Sequence, residues 1–294
     1  MRKIAVIINA NAGSIFGQDM TATVTAAFER HAVKARVIAA GGKRLRETAR
    51  GLLDEGFNIL VAGGGDGTVS AVASEVAGGD AALGVLPLGT LNHFARDLHI
   101  PLDLDGAVDL ICSGTLKAVD IGAVNDQLFI NNCSMGVYPD QVRVRQKWQK
   151  RVGRIPAIVI ASLYVLYRFP YLPARLEFNG ARLRRRSPML LVSNNRYLLD
   201  PADLTGREAL DRGELGVYII RNEGRMGLIR VALHCLVYRL EELDSFESYT
   251  ATDLLLRASR KRVRVAVDGE VLRLRSPLRF QILPGGLRVI APGD

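Results

Sequence analysis

Short apolar runs alternate with amphipathic stretches over the first 120 residues of the chain. The apolar runs predict β-strands at 4–8, 35–39, 59–62 and 83–86, and each run is followed by Gly, Asn or Pro. The stretches between them predict helices at 20–31, 43–55 and 68–76. Strands that alternate with helices are typical of a parallel sheet covered by helices.

The pattern changes after residue 122, where many short runs alternate with a period of two, as in 262–267 and 271–275. Helical insertions are predicted at about 147–167 and 226–238. The sequence therefore predicts two domains, an α/β domain with a parallel sheet over residues 1–122 and a mainly antiparallel β domain over residues 123–294. The 48% hydrophobic content is enough for two ordinary cores.

The net charge of +9 is unevenly distributed. Residues 1–125 carry 11 basic and 13 acidic side chains, whereas the remainder carries 28 and 17. This asymmetry favours an anionic partner for the second domain, either a membrane leaflet or nucleic acid. No recognised nucleic-acid motif accompanies the basic residues, so nucleic acid is not the expected partner. The first residues lack the pattern of a signal peptide, and the three cysteines lack the spacing of a zinc site or disulfide framework, so we expect a cytoplasmic protein.

The strongest local signal is the glycine-rich segment at 63–68, Gly-Gly-Gly-Asp-Gly-Thr, between a predicted strand and a predicted helix. Glycine removes the Cβ that would keep backbone amides away from a phosphate, and the helix N-terminus adds a favourable partial charge. An ordinary strand-to-helix turn is the alternative. Four glycines around one aspartate favour a phosphate site.

This segment differs from a Walker loop, because it has no lysine. Its spacing comes close to a dinucleotide fingerprint, but it follows the third strand and contains Asp66. A carboxylate beside phosphates is repulsive unless a cation lies between them. Asp66 therefore predicts Mg²⁺ at this turn, bound directly or through water.

A second block, 87–98 (Pro-Leu-Gly-Thr-Leu-Asn-His-Phe-Ala-Arg-Asp-Leu), follows about twenty residues later. Together the two blocks resemble the diacylglycerol kinase catalytic domain family, which includes sphingosine kinases and bacterial lipid kinases. The first block alone is shared with NAD kinases and 6-phosphofructokinases. Weaker matches continue to the C-terminus. The resemblance implies a nucleotide-binding α/β domain joined to a β-sandwich lipid-substrate domain, and a kinase that uses ATP and Mg²⁺ to phosphorylate diacylglycerol or a related lipid.

The resemblance also implies the site residues. Those expected to position the nucleotide are Asn9, Gly64, Gly65, Gly67, Thr68, Gly89, Thr90, Asn92 and Arg96. Helix capping by Thr90 and Asn92, and a solvated Arg96, are the ordinary alternatives. Asn9 follows the first strand, at the edge where open α/β sheets bind ligands.

Three acidic residues complete the expected catalytic set. Glu270 is the expected general base, Asp66 the residue near Mg²⁺, and Asp120 a residue that orients the site or caps a strand end. Asp268-Gly269 before Glu270 is by itself a type I′ hairpin signal, and a rigid hairpin tip is compatible with a catalytic carboxylate.

The sequence departs from the family pattern at several positions. Ala39 and Ala40 stand where a threonine often contacts the nucleotide, Ser70 where an asparagine is usual, and His93 where an aspartate is usual. The resemblance implies a structural Mg²⁺ at Asp211, but Arg212 replaces the second aspartate of that segment.

A basic, acid-free stretch at 141–176 contains eight cations and the apolar run 155–167. The run is shorter than the roughly 20 residues that span a bilayer, so it predicts an interfacial helix that binds an anionic membrane surface peripherally. A core helix with a charged face is the alternative. An NAD kinase-like enzyme, a non-catalytic nucleotide or lipid sensor and a homodimer also remain compatible with the sequence.

Overall fold

A computed structural model describes residues 2–10, 20–42, 44–168, 171–198, 206–207, 209–221, 224, 226–227 and 246–293. The chain divides into two compact units. The first consists of residues 1–121, 209–212 and 283–294, and the second of residues 122–208 and 213–282. The division thus lies at 121/122, and the last residues of the chain return to the first unit.

The first unit is built on a parallel sheet. Its strands are β1 (Ile4–Asn9), β2 (Ala35–Ala40), β3 (Ile59–Gly64) and β4 (Ala82–Pro87), together with parts of β5 (Thr115–Val124) and β16 (Leu278–Ala291). The order is β2-β1-β3-β4-β16, and all neighbours in this part of the sheet are parallel. The two central strands β3 and β4 are buried along their whole length, as their continuous apolar runs require.

Five helices belong to the described part of this unit. They are α1 (Met20–Arg30), α2 (Arg44–Asp54), α3 (Asp66–Val76), α4 (His93–Asp97) and α5 (Leu104–Ser113). The buried face of α2 consists of Leu45, Ala49 and Leu52, which recur at the spacing of one helix face. Helix α3 begins two residues earlier than the sequence predicts, so Asp66 and Gly67 lie in its first turn.

The second unit contains two sheets. The first sheet is antiparallel and has the order β12-β11-β10-β7-β14-β15. The second sheet is also antiparallel and has the order β16-β13-β8-β9. The ranges of these strands are β7 (Asn132–Gly136), β8 (Leu172–Phe178), β9 (Ala181–Ser187), β10 (Met189–Asn194), β11 (Leu215–Ile220), β12 (Phe246–Ala251), β13 (Asp253–Ala258), β14 (Arg262–Val267) and β15 (Glu270–Arg275). A short strand, β6 (Gln127–Phe129), pairs antiparallel with the end of β5.

A shared hydrophobic core joins the two sheets of the second unit. Met135, Val192 and Val265 from one sheet and Leu176 and Phe280 from the other belong to the same buried cluster. The alternation of buried and exposed positions along β8 is the pattern of a strand with one face on such a core. The predicted fold class, an α/β domain followed by a mainly antiparallel β domain, is confirmed.

The helical insertion in the second unit is a pair of helices, α6 (Val137–Val152) and α7 (Arg154–Arg168). The prediction of a single helix at 147–167 is therefore wrong. Gly153 separates the two helices with φ +83°, a conformation that ends a helix and that only glycine adopts readily. The helix predicted at 226–238 lies almost entirely outside the described residues.

No helix in the described part of the chain combines the length and the hydropathy needed to cross a membrane.

Candidate active site

The glycine-rich turn at 63–68 joins the end of β3 to the start of α3. Gly65 is the N-cap residue, with extended backbone, and no side chain caps this helix end. The carbonyl oxygen of Gly65 accepts hydrogen bonds from the amides of Thr68 (2.8 Å) and Val69 (3.1 Å). The helix N-terminus therefore presents backbone amides without a competing side-chain acceptor, which is the arrangement that binds phosphates.

Gly64 has no room for a side chain. A Cβ on it would lie 2.4 Å from Oγ1 of Thr68, which is a buried residue. Nδ2 of Asn9, at the end of β1, donates to the same Oγ1 at 3.0 Å. The structure thus brings Asn9, Gly64 and Thr68 together at the carboxyl edge of the sheet, where ligands bind in this class of fold. The Thr68 hydroxyl is used in fixing the turn.

The second block lies directly against the first through its backbone. A Cβ on Gly89 would lie 2.4 Å from Cα of Gly65, and the amide of Leu88 donates to the carbonyl of Gly64 at 3.1 Å. Only two glycines permit such a close approach of main chains. The two motifs that are separate in sequence form one structure.

Asn92 holds the second block in place. Its Oδ1 accepts from the amide of Gly89 at 3.0 Å, and its Nδ2 donates to the carbonyls of Pro87 (3.1 Å) and Gly89 (3.0 Å). The residue is buried and has φ +52°, so it shapes the turn that precedes α4. It has no side-chain capping bond to α4.

Asp66 connects α3 to α4, because its Oδ1 accepts from the amide of Phe94 at 3.3 Å. Gly67 beside it is exposed, and a Cβ there would meet no described atom within 4 Å. Thr90 is exposed, as is Arg96, whose Nε donates to the carbonyl of Leu91 at 3.0 Å. Gly67, Thr90 and Arg96 are thus accessible to solvent.

Asp120 is a buried residue of β5 in the first unit. Its Oδ1 accepts from the amide of Gly285 at 2.9 Å, and its amide donates to the carbonyl of Leu210 at 2.7 Å. It therefore ties together the three chain segments of this unit. Asp211, next to Leu210, is exposed.

The donor set at the glycine-rich turn fits Mg²⁺. This ion is usually held by one or two carboxylates together with substrate phosphates and water. Asp66 supplies one such carboxylate in the first turn of α3, and a carboxylate keeps lone pairs beyond the one that accepts from Phe94. A metal site formed by protein side chains alone is not found in the described part of the chain. No group of three or more His, Cys, Asp or Glu side chains there could hold a metal, at Asp211 or elsewhere.

Glu270 is exposed at the start of β15, opposite Val267 in the β14–β15 hairpin. The two residues of the turn, Asp268 and Gly269, have φ +44° and +83°. Both values are positive, as a type I′ turn requires, so the predicted hairpin is confirmed. The catalytic candidate therefore stands beside a turn of fixed geometry.

Asp268 has a second function that sequence reasoning missed. Its carboxylate accepts hydrogen bonds from three consecutive amides, those of Ile130 (2.9 Å), Asn131 (2.9 Å) and Asn132 (3.0 Å). Three bonds to one charged acceptor are strong and restrict the carboxylate to one position. The hairpin tip that carries Glu270 is fixed to the loop before β7.

A buried arginine, Arg207, also holds this loop. Arg207 donates to the carbonyls of Ile130 (2.6 Å) and Asn194 (3.0 Å) and to Oδ1 of Asn131 (2.9 Å). No local pattern identifies Arg207, since its partners lie 13 to 77 residues away. The signal available in the sequence was the pair Asn131-Asn132, because polar residues between two strands need partners when buried.

Burial also changes the acidity of groups near this loop. Burial raises the pKa of Tyr197 to about 12, although the nearby Arg207 charge and the hydrogen bond with Asn132 act in the opposite direction. Burial and the charge of Asp268 raise the pKa of the Cys133 thiol. Both groups are therefore neutral at physiological pH.

A helix N-terminus with no side-chain cap and with the half-buried Asp66 in its first turn, in a parallel α/β unit, is an arrangement typical of phosphate-binding proteins. The model of the diacylglycerol kinase catalytic domain matches residues 3–124, and that of the YegS C-terminal NAD kinase beta sandwich-like domain matches residues 136–291. The second match alone covers more than half of the chain. The chain belongs to the family of proteins that combine these two domains, the diacylglycerol kinase family.

Relatives and solved structures agree with this assignment. Diacylglycerol kinases of Staphylococcus aureus strains RF122 and JH9 are each 28% identical over 252 residues, which cover 82% of this chain and 77% of the relative. The crystal structure of a diacylglycerol kinase from Bacillus anthracis has a TM-score of 0.69 at 18% identity, covering 99% of this chain and 97% of that one. A second structure from the same strain has a TM-score of 0.74 at 19% identity, with the same coverage. At these identities the structures establish the fold.

Proposed function

We propose that the protein is an ATP-dependent lipid kinase that transfers the γ-phosphoryl group to a hydroxyl of diacylglycerol or a related lipid. The observation that carries this proposal is the backbone contact between Gly65 and Gly89. The glycine-rich turn is shared by several kinds of kinase, whereas the second block is the feature that the sequence shares with lipid kinases. The contact supports the proposal that the two blocks are parts of one site.

The nucleotide phosphates lie against the N-terminus of α3 in this proposal. The amides of the turn at 64–67 donate to phosphate oxygens, and the helix dipole adds a favourable potential. The exposed guanidinium of Arg96 offsets part of the phosphate charge. Asn9, Thr68 and Asn92 act indirectly, because their side chains are engaged in holding the turn and the loop beside it.

Asp66 would hold Mg²⁺ together with the phosphates. When bound, the ion neutralises the charge that collects on the phosphate oxygens during transfer. The hydrogen bond from Phe94 orients the Asp66 carboxylate, so the metal ligand and the start of α4 depend on each other.

Glu270 is the proposed general base. It accepts the proton of the lipid hydroxyl while the hydroxyl oxygen forms a bond to the γ-phosphorus. The bond between that phosphorus and the bridging oxygen breaks at the same time, and ADP leaves with the electron pair. Because the Asp268 carboxylate is held by three amides, the position of Glu270 at the neighbouring hairpin tip is defined before substrate binds.

The acceptor decides between this proposal and its alternatives. Purified protein is incubated with γ-labelled ATP, with and without Mg²⁺, and with diacylglycerol, phosphatidylglycerol, a sphingoid base, a polyprenol or NAD as acceptor. We expect label in a lipid product and only when Mg²⁺ is present. Label in NAD alone would establish an NAD kinase-like enzyme, and nucleotide binding without transfer to any acceptor would establish a sensor.

We also propose that the enzyme works on the inner face of the membrane as a peripheral protein, since its acceptor lipid resides there. The basic stretch at 141–176 supports this proposal, because an anionic leaflet attracts clustered cations.

A further inference from the structure

Helix α7 exposes a row of large apolar side chains. This outer row consists of Ile155, Val159, Leu163 and Tyr167. The four side chains are 76%, 53%, 62% and 75% exposed, and their spacing of four residues places them along one face of the helix. The other side of the helix is buried through Ala157, Ala161 and Val165.

A helix that is apolar on both sides is normally covered on both sides. Single exposed apolar residues are common on soluble proteins, but a contiguous row on one helix marks an interaction surface. The 15 residues of α7 extend about 22 Å, less than the roughly 30 Å hydrocarbon core of a bilayer. The outer row can therefore enter a membrane surface without crossing the membrane.

The charges around the outer row indicate the partner. Arg143, Lys147 and Arg151 are exposed on α6, again at a spacing of four residues, and the stretch 141–176 contains no acidic residue. Arg143 also pairs with Asp140, just before this stretch, at 3.9 Å. Nε2 of Gln141 donates to Oγ of Ser162 at 3.3 Å, which shows that α6 and α7 pack as an antiparallel pair. In this register the cations of α6 lie beside the first half of α7.

A second copy of the chain fits this surface poorly. A two-fold symmetric contact would gather the cations of both protomers at one interface, to which the stretch 141–176 contributes no acidic residue. An anionic leaflet supplies both an apolar interior for the outer row and phosphate groups for the cations.

We infer that the outer row of α7 inserts into the headgroup and acyl boundary of an anionic leaflet, with the cations of α6 on the lipid phosphates. This inference rests on the proposed function, because it names the surface from which the enzyme reaches a lipid acceptor. It also specifies the orientation of the helix pair, with Ala157, Ala161 and Val165 directed away from the lipid.

The test is sedimentation with vesicles of phosphatidylcholine, with and without phosphatidylglycerol. The triple variant Ile155→Gln, Val159→Gln, Leu163→Gln keeps residues that favour helices and removes the apolar row. We expect it to lose about 100-fold or more in partitioning to the anionic vesicles, because each of these side chains gains from burial. The control is Leu102→Gln combined with Leu116→Gln, which removes exposed leucines elsewhere and should leave partitioning unchanged.

Fluorescence tests the insertion itself. The chain has a single tryptophan, Trp148, so Trp148→Phe permits a new reporter. In that background Leu163→Trp should shift its emission to the blue and be quenched by brominated lipid, whereas Leu116→Trp should show neither change. Unchanged partitioning of the triple variant, or no response of Leu163→Trp on vesicles that bind the protein, would overturn the inference. So would a dimer in sedimentation velocity that the triple variant abolishes while vesicle binding stays the same.

Failure of the inference is distinguishable from failure of the proposed function. Activity of the triple variant toward a short-chain diacylglycerol in detergent micelles should equal that of the wild type, since no membrane is needed there. Lack of transfer by the wild type to any of the four lipid acceptors in micelles would refute the kinase proposal, whatever the vesicles show. Normal micelle activity with unaltered vesicle binding in the triple variant would refute only the inference.

Discussion

Substitution of Gly89 by alanine tests whether the contact between the two motifs positions the phosphate site. The new Cβ would lie 2.4 Å from Cα of Gly65 and 2.7 Å from Oδ1 of Asn92. Ordinary contacts between such atoms are about 3.5 Å, so the two segments must separate by about 1 Å. Main-chain atoms cannot rotate away as a flexible side chain does.

Two effects follow from this displacement. Overpacking of this kind destabilises a protein by about 1–3 kcal/mol. A displacement of about 1 Å in a group that positions substrate lowers turnover by about 10²-fold. We therefore expect Gly89→Ala to unfold at lower urea concentration and to lose about 10²-fold in kcat/KM for ATP.

Gly51→Ala is the matched control. Gly51 lies in α2, and a Cβ there would meet no described atom within 4 Å. The alanine should stabilise the helix by up to about 1 kcal/mol and leave kcat/KM unchanged. Urea titration and a steady-state assay give both quantities. If Gly89→Ala retains wild-type turnover with ATP, the contact does not position the phosphate site and the reasoning is wrong.

Three further predictions concern separate parts of the molecule. Gly67→Ala should be at least as stable as the wild type but bind ATP about tenfold or more weakly by calorimetry, because its Cβ would occupy the open side of the helix N-terminus; unchanged affinity would place the phosphates elsewhere. Glu270→Gln should lower kcat by about 10²-fold or more while Glu177→Gln, a carboxylate of β8, has no effect, and equal activities of the two variants would remove the general-base assignment. Although burial by itself raises the pKa of Glu247, hydrogen bonds from Arg221, Tyr249 and Arg185 lower it below the ordinary value. A lowered folded-state pKa stabilises the protein above the unfolded-state pKa and ceases to do so as the pH falls through the folded-state value. Glu247→Gln should thus be less stable than wild type in urea at neutral pH, with a difference that disappears in acid; a difference independent of pH would contradict the assignment.

Much of the first unit could be predicted from the sequence, because its elements follow local rules. Buried parallel strands are continuous apolar runs, and all four runs are strands in the structure. The strands extend one or two residues further than the runs. Asn9, Gly64 and Pro87 continue them because main-chain hydrogen bonds, and not apolar side chains, define where a strand ends.

The helix pair of the second unit shows where local rules fail. The apolar run at 155–167 gives no sign that one helix ends and another begins at Gly153, because the hydrophobic pattern of α7 starts only after that glycine. The polar residues of α6 before Lys147 have no apolar periodicity strong enough to predict a helix. Their helix is supported by packing on β7 and β14 and by ion pairs such as that between Arg264 and Asp140.

The candidate site was predictable in its motifs but not in its supports. Glycines around Asp66 have a local physical reason, so the turn could be found without the structure. Asp268 and Arg207 both hold the loop at 130–131, which lies 138 and 77 residues from them, and no local pattern contains such a contact. Asn92 could be identified as part of a motif, but only the structure shows that its side chain is engaged with Pro87 and Gly89.

Calorimetric titration of the purified protein with ATP, in the presence and absence of Mg²⁺, tests the central claim most directly. The claim is that the turn at 63–68, with the loop packed on it, binds the phosphates of a nucleoside triphosphate through backbone amides and an Asp66-bound metal. We expect saturable binding that requires Mg²⁺ and that weakens in Gly89→Ala but not in Gly51→Ala. No binding to the wild type, or binding of equal strength in the wild type and in Gly89→Ala, would contradict it.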